Sequence, residues 1–491
     1  MSQTPARPNI LLIMTDQHRG DCLGCAGHPV VETPYLDQLA AEGTRFRCAY
    51  TAVPSCIPAR ATLMTGMHQW HTGILGMGRS GGNMTTAYRH TLPGELGRAG
   101  YHTQGIGKMH FHPQRARYGF DNLILDESGR ELSPGFKSDY RQWFEEHKDG
   151  AYDYRDHSVD WNSWMSRPTH LPEHLHPTHW TAQQAIEWLG RRDPTQPFFL
   201  KVSFARPHSP YDPPQVYYDL YRDRPLPEPH LGGWAHIHAG RPEQHDVNAW
   251  RSRRSPEEIR RARACYYGSI TFIDHQIGRI LYELQRYHRE VWQNTLVLFL
   301  SDHGDMLGDH HLWRKTYAYE GSAHIPFIVR PPASWGWPRG QVLDHVVEIR
   351  DVMPTLLEAA GVPVPETVDG SSLLPLVQGQ AETPWREYIQ GEHDWCYSHE
   401  QANFYVTDGR WKYIWFPYLG TEQLFNLESD PGECHNLAED PACAQALAAW
   451  RSRLVRELEE RDCGLVRNGR LVRLELDQVI KSPHLYRYGC A

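Results

Sequence analysis

The chain has 491 residues, a net charge of −9 and a pI near 6.4, a length beyond one ordinary domain and ample for a large core. Its 50 Lys and Arg residues are scattered rather than clustered, which argues against nucleic acid or an anionic membrane as a partner. Ten cysteines are too few for a disulfide scaffold at this size and read as reduced thiols.

The first apolar run, Asn9-Ile10-Leu11-Leu12-Ile13-Met14, is too short to cross a membrane, and Thr15-Asp16 follows it without a small-residue cleavage site. It predicts a first strand and a cytoplasmic protein. Cys22-Leu23-Gly24-Cys25 has no second pair for zinc and reads as loop packing. Further apolar runs at 103–106, 198–204 and 296–300 predict strands, and helical periodicity at 34–42, 91–99, 178–189 and 255–287 separates them. Strands alternating with helices predict an α/β fold built on a large, mostly parallel sheet flanked by helices. Two long irregular stretches, 130–177 and 206–254, are rich in Trp, His, Asp and Pro and read as walls of a pocket, with Trp161, Trp164, His170 and Tyr211 suited to an aryl or glycosyl group. Near residue 383 the texture changes to strand-like runs at 403–406 and 411–416 and a helix at 442–461. This predicts an N-terminal catalytic domain over 1–382 and a C-terminal α+β subdomain over 383–491, a small antiparallel sheet plus a helix with an extended tail.

The most informative segment is Val53-Pro54-Ser55-Cys56-Ile57-Pro58-Ala59-Arg60-Ala61-Thr62-Leu63-Met64-Thr65-Gly66. Pro58 suits the first turn of a helix that Gly66 ends, which puts Cys56 at the positive end, where unpaired N–H groups favour an oxyanion. Arg60, one turn on, presents a planar fork to the same oxyanion. Taken alone, Cys56 is equally a small buried residue.

In open α/β sheets, ligands bind beyond the carboxyl ends of the strands, so chemistry is sought there. The first strand delivers Asp16-Gln17 and the fourth delivers Ser301-Asp302-His303-Gly304-Asp305. Two carboxylates, an amide oxygen and an imidazole converging there make a divalent-cation site; each aspartate alone is also a plausible helix cap. Basic groups follow the other runs: Gly107-Lys108-Met109-His110, then Arg206-Pro207-His208-Ser209-Pro210, and Arg314-Lys315 further on.

On these segments, together with Thr33-Pro34-Tyr35-Leu36-Asp37, Glu320-Gly321 and Leu424-Phe425-Asn426-Leu427-Glu428-Ser429-Asp430-Pro431-Gly432-Glu433, the chain resembles the formylglycine-dependent sulfatases of the alkaline phosphatase-like superfamily from Arg7 to about Pro441. The resemblance implies that Cys56 is oxidised by a maturation enzyme to formylglycine, whose hydrate attacks the sulfur of a sulfate monoester, aryl, alkyl or carbohydrate. It implies that Asp16, Gln17, Asp302 and His303, with the modified Cys56, hold the metal; that Arg60 steadies the hydrate; that Lys108 and His110 contact sulfate and nucleophile; and that His208 and Lys315 bind sulfate oxygens and protonate the leaving oxygen. Calcium is the family default. Gln17 stands where many members have Asp, and His303 where many have Asn or Gln, which makes manganese the alternative. A related branch, the phosphonate monoester and phosphodiester hydrolases, uses the same modified residue and an Asp, Gln, Asp, His set, so it stays open as a second reading. Met109-His110-Phe111 resembles the choline-sulfatase branch, without a match elsewhere close enough to assign that substrate. The tail beyond Cys463 is a candidate surface for homo-oligomer formation.

Overall fold

Strand β1 (Asn9–Asp16) is buried along nearly its whole length because it feeds two cores at once: Ile10, Leu12 and Met14 join one, Leu11 and Ile13 the other. A strand covered on both faces has no reason to alternate polar with apolar residues, which explains the continuous hydrophobic run. This computed structural model describes residues 7–78, 82–84, 88–130, 133–241, 245–380 and 384–487. The expected domain boundary after residue 382 lies outside them.

After β1 come β2 (Thr44–Phe46), β3 (Ala49–Tyr50), β4 (His102–Gly107), β5 (Asn122–Leu125), β6 (Phe198–Pro207), β7 (Thr295–Ser301), β8 (Phe327–Arg330), β9 (Gln341–Leu343) and β10 (Val347–Glu348). The main sheet has eight strands in the order β5-β4-β6-β1-β7-β8-β2-β9. From β5 to β7 every pairing is parallel; β8 runs antiparallel to both β7 and β2. The short β3 pairs with β10 in a separate ribbon. This is the expected α/β architecture, with the four expected strands at β1, β4, β6 and β7.

Helices cover both faces. The helix Pro256–Tyr287 starts at a capping box made by Ser255 and Glu258, which satisfies two end donors reciprocally, and its buried side packs with the helix Pro177–Arg191. On the other face the helix Cys56–Thr65 is buried on almost every side, with Ala59, Ala61, Leu63 and Met64 in the first core. It ends at Gly66, whose φ of 65° is left-handed, the conformation glycine adopts without penalty.

The C-terminal part is an antiparallel sheet of β11 (Ile389–His393), β12 (Asn403–Thr407), β13 (Trp411–Phe416) and β14 (Thr421–Asn426), backed by the helix Ala444–Glu459. One face packs on that helix through Phe404, Val406, Tyr413 and Trp415; the other, through Tyr405, Ile414 and Phe425, meets Tyr50 and Tyr319 of the main body. Buried Lys412 clasps the parts together, pairing with Glu320 at 2.6 Å and Glu433 at 2.9 Å. The Glu320-Gly321 and Pro431-Gly432-Glu433 motifs are therefore structural. The tail folds back on its own chain, where Leu465, Leu474 and Ile480 complete the C-terminal core and Ser482 Oγ donates to the Trp70 carbonyl at 2.5 Å. The two irregular stretches are not wholly irregular: they contain the helices Asp139–His147 and Gln215–Arg222.

Candidate active site

Four neighbouring parallel strands end side by side in the order β4, β6, β1, β7, and each delivers one part of the site. Lys108 and His110 follow β4, His208 caps β6, Asp16 and Gln17 close β1, and Asp302 and His303 follow β7. Backbone bonds tie these ends together: Lys108 N–H donates to Ser203 O at 2.8 Å, His208 N–H to Asp16 O at 3.0 Å and Asp302 N–H to Thr15 O at 3.3 Å. Over them sits Cys56, first residue of its helix and 1% exposed.

The side chains converge on the Cys56 sulfur. His303 Nε2 lies 3.2 Å from Sγ, Lys315 Nζ 3.1 Å, Asp16 Oδ1 3.6 Å and Lys108 Nζ 3.8 Å. Burial and Asp16 push the thiol upward, but Lys108, Lys315 and His303 prevail and bring it down to about 6. The site is built to hold negative charge at this atom.

Asp16, Cys56, Asp302 and His303 place one donor atom each within 4.8 Å of one another, the only such group among the described residues. His303 Nε2 lies 3.7 Å from Asp16 Oδ1 and 3.6 Å from Asp302 Oδ1, too long for hydrogen bonds and close to the separation of adjacent ligands about one cation, roughly 3–3.6 Å. The His303 Nδ1–H donates to Gly304 O at 2.9 Å, which fixes the tautomer and turns the Nε2 lone pair inward. Burial opposes charge on Asp16, yet the Lys108 ammonium and the Arg60 guanidinium beside it hold its carboxyl well below the usual range. The donor set fits a divalent cation.

Gln17 completes the donor set through a residue to which the sequence reading gave no role. Asp305 accepts from Gln17 Nε2 at 2.5 Å, so the amide nitrogen faces away and Oε1 faces the site, where Lys315 Nζ donates to it at 3.3 Å. Asp305 is itself pinned, accepting from Leu307 N–H at 2.9 Å, Arg314 N–H at 3.0 Å and the Tyr211 hydroxyl. Tyr211 is thus a buried prop for this carboxylate and no pocket wall. Gln17, with φ of 68°, joins His110 at 61° and Arg314 at 66° in left-handed backbone, strain of a kind that gathers at functional sites.

Arg60 does something other than its position predicts. Nε donates to Asp302 Oδ2 at 3.0 Å, Nη2 to Asp16 Oδ2 at 3.0 Å, and Nη1 to Lys108 O at 2.6 Å and Ser203 Oγ at 3.0 Å. Its fork is turned to the two carboxylates of the cation group rather than to an open oxyanion position. His110 has partners outside the group around Cys56 Sγ: Arg130 Nη1 lies 3.0 Å from His110 Nε2, and Glu127 accepts from the His110 N–H at 2.9 Å.

Lys315 and His208 form a proton-sharing pair. His208 Nδ1–H donates to Ser209 O at 2.8 Å, so Nε2 is left to accept from Lys315 Nζ at 2.7 Å. Burial and Lys315 hold the imidazole well below its ordinary range; burial opposes charge on Lys315, but Cys56 and Asp16 raise it. The C-terminal sheet adds His393, whose Nε2 lies 2.8 Å from the hydroxyl of Ser55, the residue before Cys56. Asp305 stands in the Ser301-to-Asp305 segment without a role assigned from the sequence, and no motif announced His393, because the partners of both lie far away in sequence.

Of the proposed wall residues, Trp161 lines a cavity of about 460 Å³ with Tyr154 and Arg206. Trp164 lies under the Arg254 guanidinium at 3.6 Å, and His170 Nε2 bonds Asp153 O at 3.0 Å.

A parallel sheet ending in a buried thiol, a donor group that fits a cation and a basic cluster defines a hydrolase of anionic esters with the alkaline phosphatase-like fold. The family model for sulfatases matches residues 8–362, and one for the C-terminal part of N-sulphoglucosamine sulphohydrolase matches 308–460. The chain is 44% identical to an arylsulfatase of Clostridium perfringens over 95% of its own length and 98% of the relative's. It is 32% identical to a choline-sulfatase of Rhizobium meliloti, covering 89% and 84% of the two chains. Among solved structures, the phosphonate monoester hydrolase of Agrobacterium radiobacter superposes with a TM-score of 0.75 at 27% identity, over 92% of this chain and 96% of that one. The chain belongs to the sulfatase family and is a sulfuric ester hydrolase.

Proposed function

We propose that the protein hydrolyses sulfate monoesters of an aryl, alkyl or carbohydrate alcohol, with Cys56 converted to formylglycine by a maturation enzyme. The observation that carries this reading is the convergence of Lys108, Lys315 and His303 on Cys56 Sγ beside two buried carboxylates. Asp16, Asp302, His303, the Gln17 amide oxygen and the modified residue would hold one divalent cation, calcium or, given the imidazole, manganese. When bound, that ion supplies Lewis-acid polarisation of the sulfate oxygens and favours the ionised nucleophile.

The chain's own groups account for the rest. Arg60 holds Asp16 and Asp302 in place. Lys108 and Lys315 offset charge on the nonbridging oxygens. One hydroxyl of the residue-56 hydrate forms the bond to sulfur as the bond from sulfur to the alcohol oxygen breaks. Lys315 delivers a proton to that oxygen, directly or through His208 Nε2. Lys315, neutral after that step and 3.1 Å from the residue-56 side chain, takes the proton of the second hydroxyl as the carbonyl re-forms and sulfate leaves, and a water then adds to the aldehyde to restore the hydrate. We place the protein in the cytoplasm on the sequence reading of its cysteines as reduced thiols.

A phosphonate monoester hydrolase is the second reading, favoured by the 27% identical structure and by the Gln17 and His303 ligands. Turnover of 4-nitrophenyl sulfate against a phenylphosphonate monoester, on protein whose residue 56 shows an aldehyde by peptide mass, decides between them. A strong preference for the phosphonate sinks the sulfatase reading. A thiol at residue 56 in fully active protein sinks the formylglycine mechanism for both.

A further inference from the structure

Arg314, the residue before Lys315, is a buried cation whose charge is not matched by the chain. It is 6% exposed, and its Nε and Nη2 have no hydrogen-bond partner. Its guanidinium carbon lies 5.3 Å from the Tyr397 ring centroid, and the neutral Tyr397 hydroxyl is its polar neighbour. The other buried guanidiniums around the site differ: Arg19 and Arg263 face Asp309, Arg60 faces Asp16 and Asp302, and Arg206 faces Asp212. Among the described residues no carboxylate pairs with Arg314.

The backbone holds this side chain where it is. The Arg314 N–H donates to Asp305 Oδ1 at 3.0 Å, its carbonyl accepts from Met306 N–H at 2.6 Å, and its φ is 66°. A left-handed, non-glycine residue with an unpaired buried charge is costly twice over, once in strain and once in desolvation. Arg314 also adjoins the chemistry. Tyr397 interacts electrostatically with both Arg314 and Lys315, and Lys315 Nζ lies 3.1 Å from Cys56 Sγ. The two consecutive cations diverge, Lys315 to the nucleophile and Arg314 to Tyr397. Trp250 stacks on Tyr397 at 5.5 Å and 29°, which sets a flat aromatic wall beside the free fork.

We propose that Arg314 receives a second anionic group, a carboxylate or a second sulfate, carried on the alcohol half of the ester. The fork matches two oxygens of such a group, and the aromatic wall suits the ring that bears it. This rests on the sulfatase reading and narrows its substrate class to esters that carry another negative charge.

The test uses protein made unreactive by Cys56→Ala and measures by calorimetry the affinity for phenyl sulfate, 3-carboxyphenyl sulfate and benzene-1,3-diyl disulfate. The expected result is that at least one dianion binds roughly tenfold or more tightly than the monoanion, and that adding Arg314→Gln collapses that ratio while Arg314→Lys keeps part of it. Which dianion responds tells carboxylate from sulfate. Equal affinities for all three compounds, or a ratio that Arg314→Gln leaves unchanged, overturns the proposal. If a melting curve shows that Arg314→Gln does not fold, the ratios for Arg314→Lys and for the Arg314 protein decide. Methylphosphonate monoesters of the same phenols give a parallel series: the ratio within each series tests Arg314, and turnover of one series against the other by the Cys56 protein tests the sulfatase reading separately.

Discussion

Lys315 Nζ lies 2.7 Å from His208 Nε2, and the other imidazole nitrogen is committed to Ser209 O. One proton is therefore shared by a lysine held charged and a histidine held neutral, and the Gln17 oxygen and Cys56 sulfur are the lysine's other partners. General acid catalysis of this kind contributes typically about 10²–10⁴-fold, and most where the leaving oxygen is basic. Lys315→Ala is expected to lower kcat/KM by that order for alkyl sulfates and by much less for 4-nitrophenyl sulfate. A series of phenyl sulfates of graded acidity checks this. An equal loss across the series would remove Lys315 from proton delivery.

Asp274, on the long helix Pro256–Tyr287, caps a different helix. Its carboxyl accepts from Leu36 N–H at 2.8 Å and Tyr35 N–H at 3.2 Å, at the start of the helix Pro34–Ala41, where Thr33 makes no side-chain cap. Burial raises this carboxyl to about 7, against the opposing effect of the two N–H donors. Its folded value lies above its unfolded one, so the stability it contributes is full below about pH 4 and is lost as pH rises through about 7. Asp274→Asn stays neutral and keeps one carbonyl acceptor. Its melting temperature is expected to climb relative to the parent between pH 5 and pH 8, by the equivalent of a few kcal/mol at most. A difference that does not change with pH would show that Asp274 titrates normally.

Much of this was legible in the sequence because the information is local. The runs ending at Asp16, Gly107, Pro207 and Ser301 give strands whose polar successors fall at strand ends, and Pro58 and Gly66 bound the helix that begins at Cys56 within one segment. What escaped depends on partners distant in the chain. Asp305 matters because the chain after β1 places the Gln17 amide against it, 288 residues away, and His393 because the C-terminal sheet folds back onto Ser55, 338 residues away. Strands β2 and β9, three residues each, and the edge strand β5, with four, are too short to show a period. Arg60 was placed correctly on its helix, but spacing alone does not say whether a fork faces a ligand or two carboxylates behind it.

That last relationship can be tested. Asp16, Asp302 and Arg60 are each at most 1% exposed, so removing the guanidinium leaves two buried carboxylates without their cation. Breaking a buried pair in this way typically costs about 3–5 kcal/mol. Arg60→Ala is expected to melt well below the parent in chelator and to recover part of that loss when calcium or manganese is added, because a cation at the Asp16, Asp302 and His303 group restores the missing charge. Arg60→Lys lacks the fork and is expected to fall between. A melting temperature equal to the parent's in chelator would show that Arg60 does not hold these carboxylates.

Asp305 offers the sharpest separation of positioning from chemistry, because it faces Gln17, Tyr211 and two backbone N–H groups rather than the Cys56 sulfur. Burial pushes its carboxyl upward while Tyr211 and the backbone donors favour the charged form; either form retains an oxygen for the Gln17 amide. Replacing it with Asn puts an NH₂ group where an acceptor is needed, so the Gln17 amide loses its reason to turn Oε1 toward the site. Partners of this second layer typically contribute about 10–100-fold in metal affinity. Asp305→Asn is therefore expected to weaken calcium or manganese binding, read by calorimetry, by that order. Saturating metal should recover most of the lost kcat for 4-nitrophenyl sulfate. Gln17→Glu in the same background supplies an oxygen in either orientation and is expected to restore part of the affinity. If Asp305→Asn binds metal as tightly as the parent, Gln17 is oriented by something else and Lys315 is the candidate, since its Nζ donates to the same oxygen at 3.3 Å.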